Sequence, residues 1–251
     1  MSLRPNFLTL AALGLVTVPA LAMVGNAPVA LLQGRNAVMI VGSGGTFCTG
    51  SAIATDLVLT AAHCVPPGSD YKLVEFDAAH QPKLLDVKSV SRHPNFNIQT
   101  LLAHRATADV ALIKLVSPLP AGIVPAQLSA SDRAPQVGDR YTVTGYGVAV
   151  RHDGKTGGTL RSAQLVATGK PGNLQIRLVD PETDGKTSGL GACTGDSGAP
   201  VYEGTALIGV VSWSTGPKLE GGCGGMTGVT PIVLYRAWIA DEARRLGSPL
   251  P

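Results

Sequence analysis

The chain has 251 residues, of which 45% are hydrophobic and 15% are charged, and its formal net charge at pH 7 is +3. This length allows one large domain or two modest ones with a real hydrophobic core. The positive charge is small and unclustered, which argues against a nucleic-acid partner and against attraction to a membrane surface.

Residues 1–22 have the pattern of a secretory signal. Arg4 supplies the positive end, an apolar stretch occupies 7–18, and Ala20-Leu21-Ala22 is a small-x-small cleavage site. The alternative is a membrane anchor, but the apolar stretch is short for a spanning helix and is interrupted at Pro19. We therefore expect a secreted or periplasmic protein without membrane association after signal removal.

Short apolar or alternating runs then recur between turn signals, a pattern typical of β-strands in a barrel or sandwich. They lie at 37–41, 57–60, 83–90, 110–115, 141–144, 174–178 and 205–212. The segment 117–135 is rich in proline and predicts a linker. It divides the mature chain into halves at 23–116 and 136–251.

One helix is predicted at the end of the chain. Thr230 is its expected cap, Pro231 its first residue and Gly247 its stop. The expected buried face consists of Ile232, Tyr235, Ile239, Ala243 and Leu246.

The four cysteines fit an oxidising compartment and allow three pairings. A zinc site of two cysteines and one histidine is the alternative. No cysteine pair has the tight spacing that zinc sites favour.

Three short segments contain residue types suited to nucleophilic catalysis. They are Thr60-Ala61-Ala62-His63-Cys64, Ala108-Asp109-Val110-Ala111-Leu112 and Gly195-Asp196-Ser197-Gly198-Ala199-Pro200. A serine hydroxyl is a poor nucleophile until a base removes its proton. Imidazole can take that proton, and a carboxylate on the other ring nitrogen fixes the tautomer.

These segments, in the order His, Asp, Ser, resemble the chymotrypsin-like serine peptidases over about 23–246. The Thr144-Gly145-Tyr146-Gly147 turn adds to the resemblance. It implies an all-β fold of two antiparallel six-stranded β-barrels with a C-terminal helix, and catalysis in the cleft between the barrels. It also implies peptide hydrolysis through an acyl-enzyme.

The resemblance assigns roles to particular residues. Ser197 would be the nucleophile, His63 the general base and then acid, and Asp109 the orienting carboxylate. The N–H groups of Gly195 and Ser197 would form the oxyanion hole. The implied disulfides are Cys48–Cys64 and Cys193–Cys223, and no cofactor or metal is implied.

The resemblance also implies a specificity pocket. Gly191 would be its floor, next to Ala192, and Ser214 and Gly228 would be its walls. Ser212 and Trp213 would lie on the strand that pairs with substrate. Because the floor lacks a carboxylate, we expect an uncharged apolar side chain of medium to large size before the scissile bond. The alternative is basic specificity supplied by Asp184 or Glu220.

In the family, a new N-terminus commonly inserts and pairs with the Asp before the nucleophile. Cleavage after Ala22 would expose Met23-Val24-Gly25, which resembles that N-terminus, and would make Met23 and Asp196 the activation pair. The competing site, Arg35-Asn36, has no apolar pair after it and lies too near Cys48.

Two other functions compete with the endopeptidase. One is a non-catalytic binding protein on the same fold, although the chain keeps all three catalytic residue types. The other is an esterase of narrow specificity. The endopeptidase is expected to act on polypeptide substrates as a monomer.

The remaining histidines are expected on the surface or in loops; they are His80, His93, His104 and His152.

Overall fold

Twelve antiparallel strands form two closed β-barrels in this computed structural model, which describes residues 23–30, 35–76, 81–169 and 174–250. The first barrel contains β1 to β6, which are Ala37–Gly42, Phe47–Ala54, Leu57–Thr60, Tyr71–Phe76, Pro82–Arg92 and Ala111–Leu115. The second contains β7 to β12, which are Arg140–Gly145, Arg161–Ala167, Ile176–Val179, Pro200–Glu203, Ala206–Ser214 and Met226–Pro231. The predicted pair of six-stranded barrels is confirmed.

Both barrels have the same strand order. The ring is β1-β2-β3-β6-β5-β4 in the first and β7-β8-β9-β12-β11-β10 in the second. Closure pairs every edge strand, and alternate side chains fill the interior. The filling includes Ile40, Val58 and Ile113 in the first barrel and Val143, Leu165 and Leu178 in the second.

A third cluster of buried apolar side chains joins the barrels. Leu59 and Leu112 of the first barrel pack in the same cluster as Leu207 and Val210 of the second. Apolar burial of this kind stabilises by roughly 25 cal/mol per Å². The interface therefore fixes the two barrels relative to each other and, with them, the cleft that lies between them.

Two α-helices are present in the described residues, α1 at Ile98–Leu102 and α2 at Arg236–Arg245. The terminal helix α2 starts later than the sequence pattern predicts. Thr230 and Pro231 pair with β11 as the last residues of β12, and a 3₁₀ turn, Ile232–Leu234, precedes the helix. Strand pairing has replaced the predicted cap.

The buried face of α2 includes Ile239 and Ala243, as expected. Gly247 follows the helix with a φ of +75°, a left-handed conformation that ends helices readily.

The chain between β6 and β7 crosses from one barrel to the other. The N–H of Ala126 donates to the carbonyl of Ala52 at 2.8 Å, and the N–H of Ser129 donates to Leu207 at 2.9 Å. These bonds attach the proline-rich segment to both barrels.

The predicted signal at 1–22 lies outside the described residues. Of the helices that the described ranges contain, none has the length and apolar character to cross a membrane.

Candidate active site

The imidazole of His63 and the carboxylate of Asp109 meet beside the first barrel. His63 lies in a 3₁₀ turn directly after β3, and Asp109 lies two residues before β6, the neighbour of β3. His63 Nδ1 is 2.8 Å from Asp109 Oδ2, and the backbone N–H of His63 donates to Oδ1 at 3.0 Å. This pairing orients the ring and leaves Nε2 for proton transfer.

The second barrel supplies a further hydrogen-bond donor to Asp109. The Asp109 side chain is fully buried, and Ser212 Oγ on β11 donates to its Oδ2 at 2.6 Å. A buried carboxylate is costly unless donors replace water, and three donors do so here. The sequence pointed to Ser212 as a substrate contact and missed its bond to Asp109.

Ser197 lies in a tight turn that is held against the first barrel. Its carbonyl accepts from the N–H of Thr49 on β2 at 2.9 Å. The next residue, Gly198, has a φ of +77°, and a Cβ there would lie 2.1 Å from Thr60 Oγ1. Only glycine fits this close approach of the turn to β3.

Ser197 and His63 line the same open cleft, together with Gly195 and Ser214. In the described part of the chain, the Ser197 hydroxyl makes no hydrogen bond to the imidazole. Catalytic hydrogen bonds of free enzymes often tighten only when the substrate binds.

The backbone at Gly195 is fixed in a conformation that glycine alone tolerates. Its φ is +96°, and a Cβ would lie 2.3 Å from the ring of Phe47. Its carbonyl accepts from Thr49 Oγ1 at 2.8 Å. Among the described residues, the N–H groups of Gly195 and Ser197 have no acceptor, so both are available to an oxyanion.

Asp196 is a fully buried carboxylate behind this turn. Its oxygens accept from the N–H of Gly147 at 2.8 Å and of Cys193 at 2.9 Å. Burial raises the pKa of Asp196 to about 7, and the two backbone bonds lower it in part. Within the described ranges, no lysine, arginine or histidine forms an ion pair with Asp196.

The segment that starts at Met23 is inserted into the second barrel. The Met23 side chain is fully buried in the core of that barrel, and Val24 forms an antiparallel bridge with Gly191. Gly25 follows with a φ of +85°, and a Cβ there would lie 2.4 Å from the backbone of Gly189. The segment therefore packs against the chain that leads to the catalytic turn.

Both implied disulfides are present, Cys48–Cys64 and Cys193–Cys223. Cys48 and Cys64 lie near His63, which gives this site the ligand types of a metal centre. Zinc requires thiolates, whereas these sulfur atoms are bonded to each other. The zinc alternative would need this disulfide to be reduced.

Strand register decides which residues face the specificity pocket. Across β11 and β12, Trp213 pairs with Gly228 and Ser214 pairs with Thr227. A Cβ on Gly228 would lie 2.0 Å from the Trp213 indole, so this glycine faces the ring. Thr227, rather than the predicted Gly228, is the residue of β12 that stands opposite Ser214.

The acidic residues considered as a source of basic specificity lie at the surface. Asp184 is paired with Lys186 at 3.1 Å, with 65% of its side chain exposed. Glu220 is exposed as well.

His104 contacts Trp213, which the sequence did not predict. Its ring stacks on the indole with centroids 4.5 Å apart and planes 17° apart. Arg177 Nη2 donates to the carbonyl of His104 at 3.2 Å, and its guanidinium lies 5.6 Å from the indole centroid. The absence of a neighbouring motif had suggested only a loop histidine.

The fold and the His63–Asp109–Ser197 arrangement define a serine-type endopeptidase. The family model named Trypsin matches residues 23–239. The chain belongs to the trypsin family of serine endopeptidases.

Individual relatives are distant. Trypsin of Sarcophaga bullata is 29% identical over 80% of this chain and 80% of its own length. The vitellin-degrading protease of Bombyx mori is 27% identical over 89% of this chain and 86% of its own. These relatives support the class of enzyme.

Solved structures share the fold. Neuropsin, a serine protease expressed in the limbic system of mouse brain, has a TM-score of 0.65 and 22% identity, covering 84% of this chain and 95% of that one. Human heparin binding protein has a TM-score of 0.68 and 24% identity, covering 91% of this chain and all of that one, 100%.

Proposed function

We propose that this protein is a secreted or periplasmic endopeptidase that cleaves polypeptides through an acyl-enzyme on Ser197. The observation that carries the proposal is the 2.8 Å contact of His63 with Asp109 in the cleft that also contains Ser197. The unpaired N–H groups of Gly195 and Ser197 supply the second requirement, a site for developing negative charge.

In the first half of the reaction, Ser197 Oγ attacks the substrate carbonyl carbon while its proton moves to His63 Nε2. Asp109 stabilises the imidazolium, and the carbonyl oxygen, now an anion, accepts from the two N–H groups. The C–N bond then breaks, and the leaving amine takes the proton from His63.

In the second half, water replaces the leaving amine. Its proton moves to His63 as its oxygen attacks the ester carbon, and the C–O bond to Ser197 breaks. The proton returns to Ser197 Oγ, and the acid product leaves.

Labelling of Ser197 tests this function. We expect a small serine-directed fluorophosphonate to modify the wild-type protein at one site, and the protein to hydrolyse casein, while S197A does neither. Labelling without peptide hydrolysis would favour the narrow esterase. No labelling of folded protein would favour a binding protein.

We also propose that the residue before the scissile bond is uncharged and apolar. Gly191 supplies no carboxylate, and the exposed positions of Asp184 and Glu220 give a buried cation no partner.

Cleavage after Ala22 is proposed to complete the active site. Met23 has a φ of +53°, which is a left-handed backbone conformation. This conformation is costly for a non-glycine residue that is joined to the preceding residue by a peptide bond. Hydrolysis of that bond removes this constraint and creates an ammonium group. Paired with Asp196, the ammonium would supply a positive charge to the buried carboxylate, and losing one partner costs about 3–5 kcal/mol.

A chain carrying two extra residues before Met23 tests the activation step. Its N-terminus is displaced, so we expect little activity until trimming, checked by mass spectrometry, exposes Met23. Full activity of the extended form would contradict this step.

We also propose that the enzyme acts as a monomer and without a cofactor, a metal ion or a nucleic-acid partner.

A further inference from the structure

We infer that Thr227 closes the specificity pocket and that the enzyme prefers small apolar side chains, alanine and valine, before the scissile bond. The inference rests on the proposed peptidase function and narrows its substrate class. It replaces the medium to large residue expected when Gly228 was assigned to the wall.

The position of Thr227 is fixed by contacts with the predicted pocket floor. Its Oγ1 accepts from the N–H of Ala192 at 3.1 Å. The same oxygen lies 3.6 Å from the point that a Cβ on Gly191 would occupy. Thr227 is 1% exposed, so its side chain is packed in place against this floor.

The backbone of Gly224 occupies the space beside the floor. A Cβ on Gly191 would lie 3.2 Å from Gly224 Cα and 3.3 Å from its nitrogen. The Gly224 carbonyl accepts from the N–H of Gly189 at 2.8 Å, and the neighbouring Cys223 is bonded to Cys193. These links hold the Gly224 backbone, so a long side chain has no space beside Gly191.

The open cleft beside Ser197 is lined by other residues. Ser214 lines it beside Ser197, whereas Gly191 and Thr227 are not among its lining residues in the described structure. Because Ser214 and Thr227 are cross-strand partners, their side chains lie on the same face of the sheet and narrow the space in front of the floor. A narrowed pocket accepts small side chains.

We expect the pocket to exclude positively charged substrate side chains as well as large ones. Asp180, a buried acid of the adjoining loop, accepts from the N–H groups of Glu182 and Leu190, both at 3.0 Å. Each oxygen accepts one of these bonds from its own loop, and the floor residue Gly191 has no side chain. A lysine or arginine side chain would therefore lose its hydration with no carboxylate at the floor to pair with.

A peptide series tests the inference. The peptides differ only in the residue before the scissile bond, which is Ala, Val, Leu, Phe or Lys, and active enzyme is counted by fluorophosphonate titration of Ser197. We expect kcat/KM for Ala or Val to exceed that for Phe and Lys by at least about 10-fold.

Two variants separate pocket shape from fold. In T227G the ratio of kcat/KM for Phe to that for Ala should rise about 10- to 100-fold, whereas T227S keeps the hydroxyl and should retain the wild-type order. The matched control is T230G, the same change three residues along β12, which should leave the ratio unchanged.

Titrated wild-type enzyme that prefers Phe, Leu or Lys would overturn the inference, and this result requires no variant. An unchanged Phe-to-Ala ratio in titratable T227G would also overturn it. Failure of wild-type labelling would instead overturn the peptidase function, and the inference with it.

Discussion

The two barrels hold their parts of the active site by different means. The first barrel fixes His63 and Asp109 at neighbouring strands through direct bonds between them, with a disulfide at Cys64. The second presents Ser197 on a glycine-rich turn backed by the buried Asp196. The comparison indicates that the first barrel's contribution depends on side-chain contacts, whereas the second barrel's depends on backbone conformation and strand register. Our proposal adds a dependence on cleavage before Met23.

The largest effect should come from breaking the side-chain contact in the first barrel. D109N keeps the shape of the side chain but favours the wrong imidazole tautomer, so we expect kcat to fall about 10⁴-fold. Steady-state kinetics on a peptide substrate measure it. The control is D132N, in an exposed pair with Arg236, which should change kcat little. Near-normal turnover of D109N would contradict the assignment of Asp109.

The next effect concerns the buried acid of the second barrel. Burial raises the pKa of Asp196 from 3.8 to about 7. We expect the same shift in a form with two residues added before Met23, because the added peptide bond leaves no ammonium group at Met23. Between pH 3.8 and about 7, the Asp196 carboxyl is protonated in the folded state and ionised in the unfolded state. The free energy of unfolding should therefore fall as pH rises from about 4 to 7, by up to about 1.4 kcal/mol per pH unit, and then level off.

Urea denaturation of the extended form on an S197A background measures this slope while preventing self-digestion. D196N in the extended form cannot titrate and should lose the slope. A chain beginning at Met23 should show a smaller slope, because its ammonium favours the ionised carboxylate. Identical slopes for the extended form and its D196N variant would contradict the role of Asp196.

The proposed Met23 ammonium group should limit activity at alkaline pH. An unpaired terminal amine titrates at about 7.7–8.0, and pairing with Asp196 raises its pKa further. Activity should therefore persist through neutral pH and fade only above that raised value, which a pH profile of kcat/KM would show.

A smaller effect is expected where the two barrels meet at Asp109. S212A removes the 2.6 Å bond from Ser212 Oγ and leaves the carboxylate its two bonds to His63. A hydrogen bond to a charged group contributes about 1.5–3 kcal/mol, so kcat should fall about 10- to 100-fold. KM should change little, since Ser212 acts through Asp109; a rise in KM alone would contradict this positioning role.

The smallest effect should come from the stacked pair at the cleft. H104A removes a ring contact worth about 0.5–1.5 kcal/mol, so we expect a change of about 2- to 10-fold in KM. Iodide should also quench Trp213 fluorescence more strongly. The control is H93A, whose ring contacts the other tryptophan, Trp238, at 4.9 Å. Unchanged quenching in H104A would contradict the stacking.

Local motifs predicted the barrels and the contact of His63 with Asp109, because each depends on short stretches of chain. The seven predicted runs overlap β1, β3, β5, β6, β7, β9 and β11. Strands β2, β4, β8, β10 and β12 lie outside the predicted runs. In β2, for example, Gly50 is locally unfavourable in a strand, yet it pairs with Val38 of β1. Pairing with β1 overrides this local preference.

The residue opposite Ser214 was not predicted for a related reason. The sequence pattern assigned Gly228 to that position, whereas Thr227 pairs with Ser214, and a register difference of one residue exchanges the two faces of a strand. The bulge in β11 between Val211 and Trp213 adds to this ambiguity. The contact of His104 with Trp213 likewise joins segments 109 positions apart, with no motif to indicate it.

Trapping the covalent intermediate tests the central claim most directly. Wild-type enzyme mixed with an activated ester of an alanine peptide and quenched in acid should carry one acyl group, mapped by mass spectrometry to Ser197. The alcohol product should appear in a burst equal to the concentration of active sites. S197A should show neither the adduct nor the burst. An adduct on another residue, or turnover of peptides without any adduct or burst, would contradict an acyl-enzyme formed on Ser197.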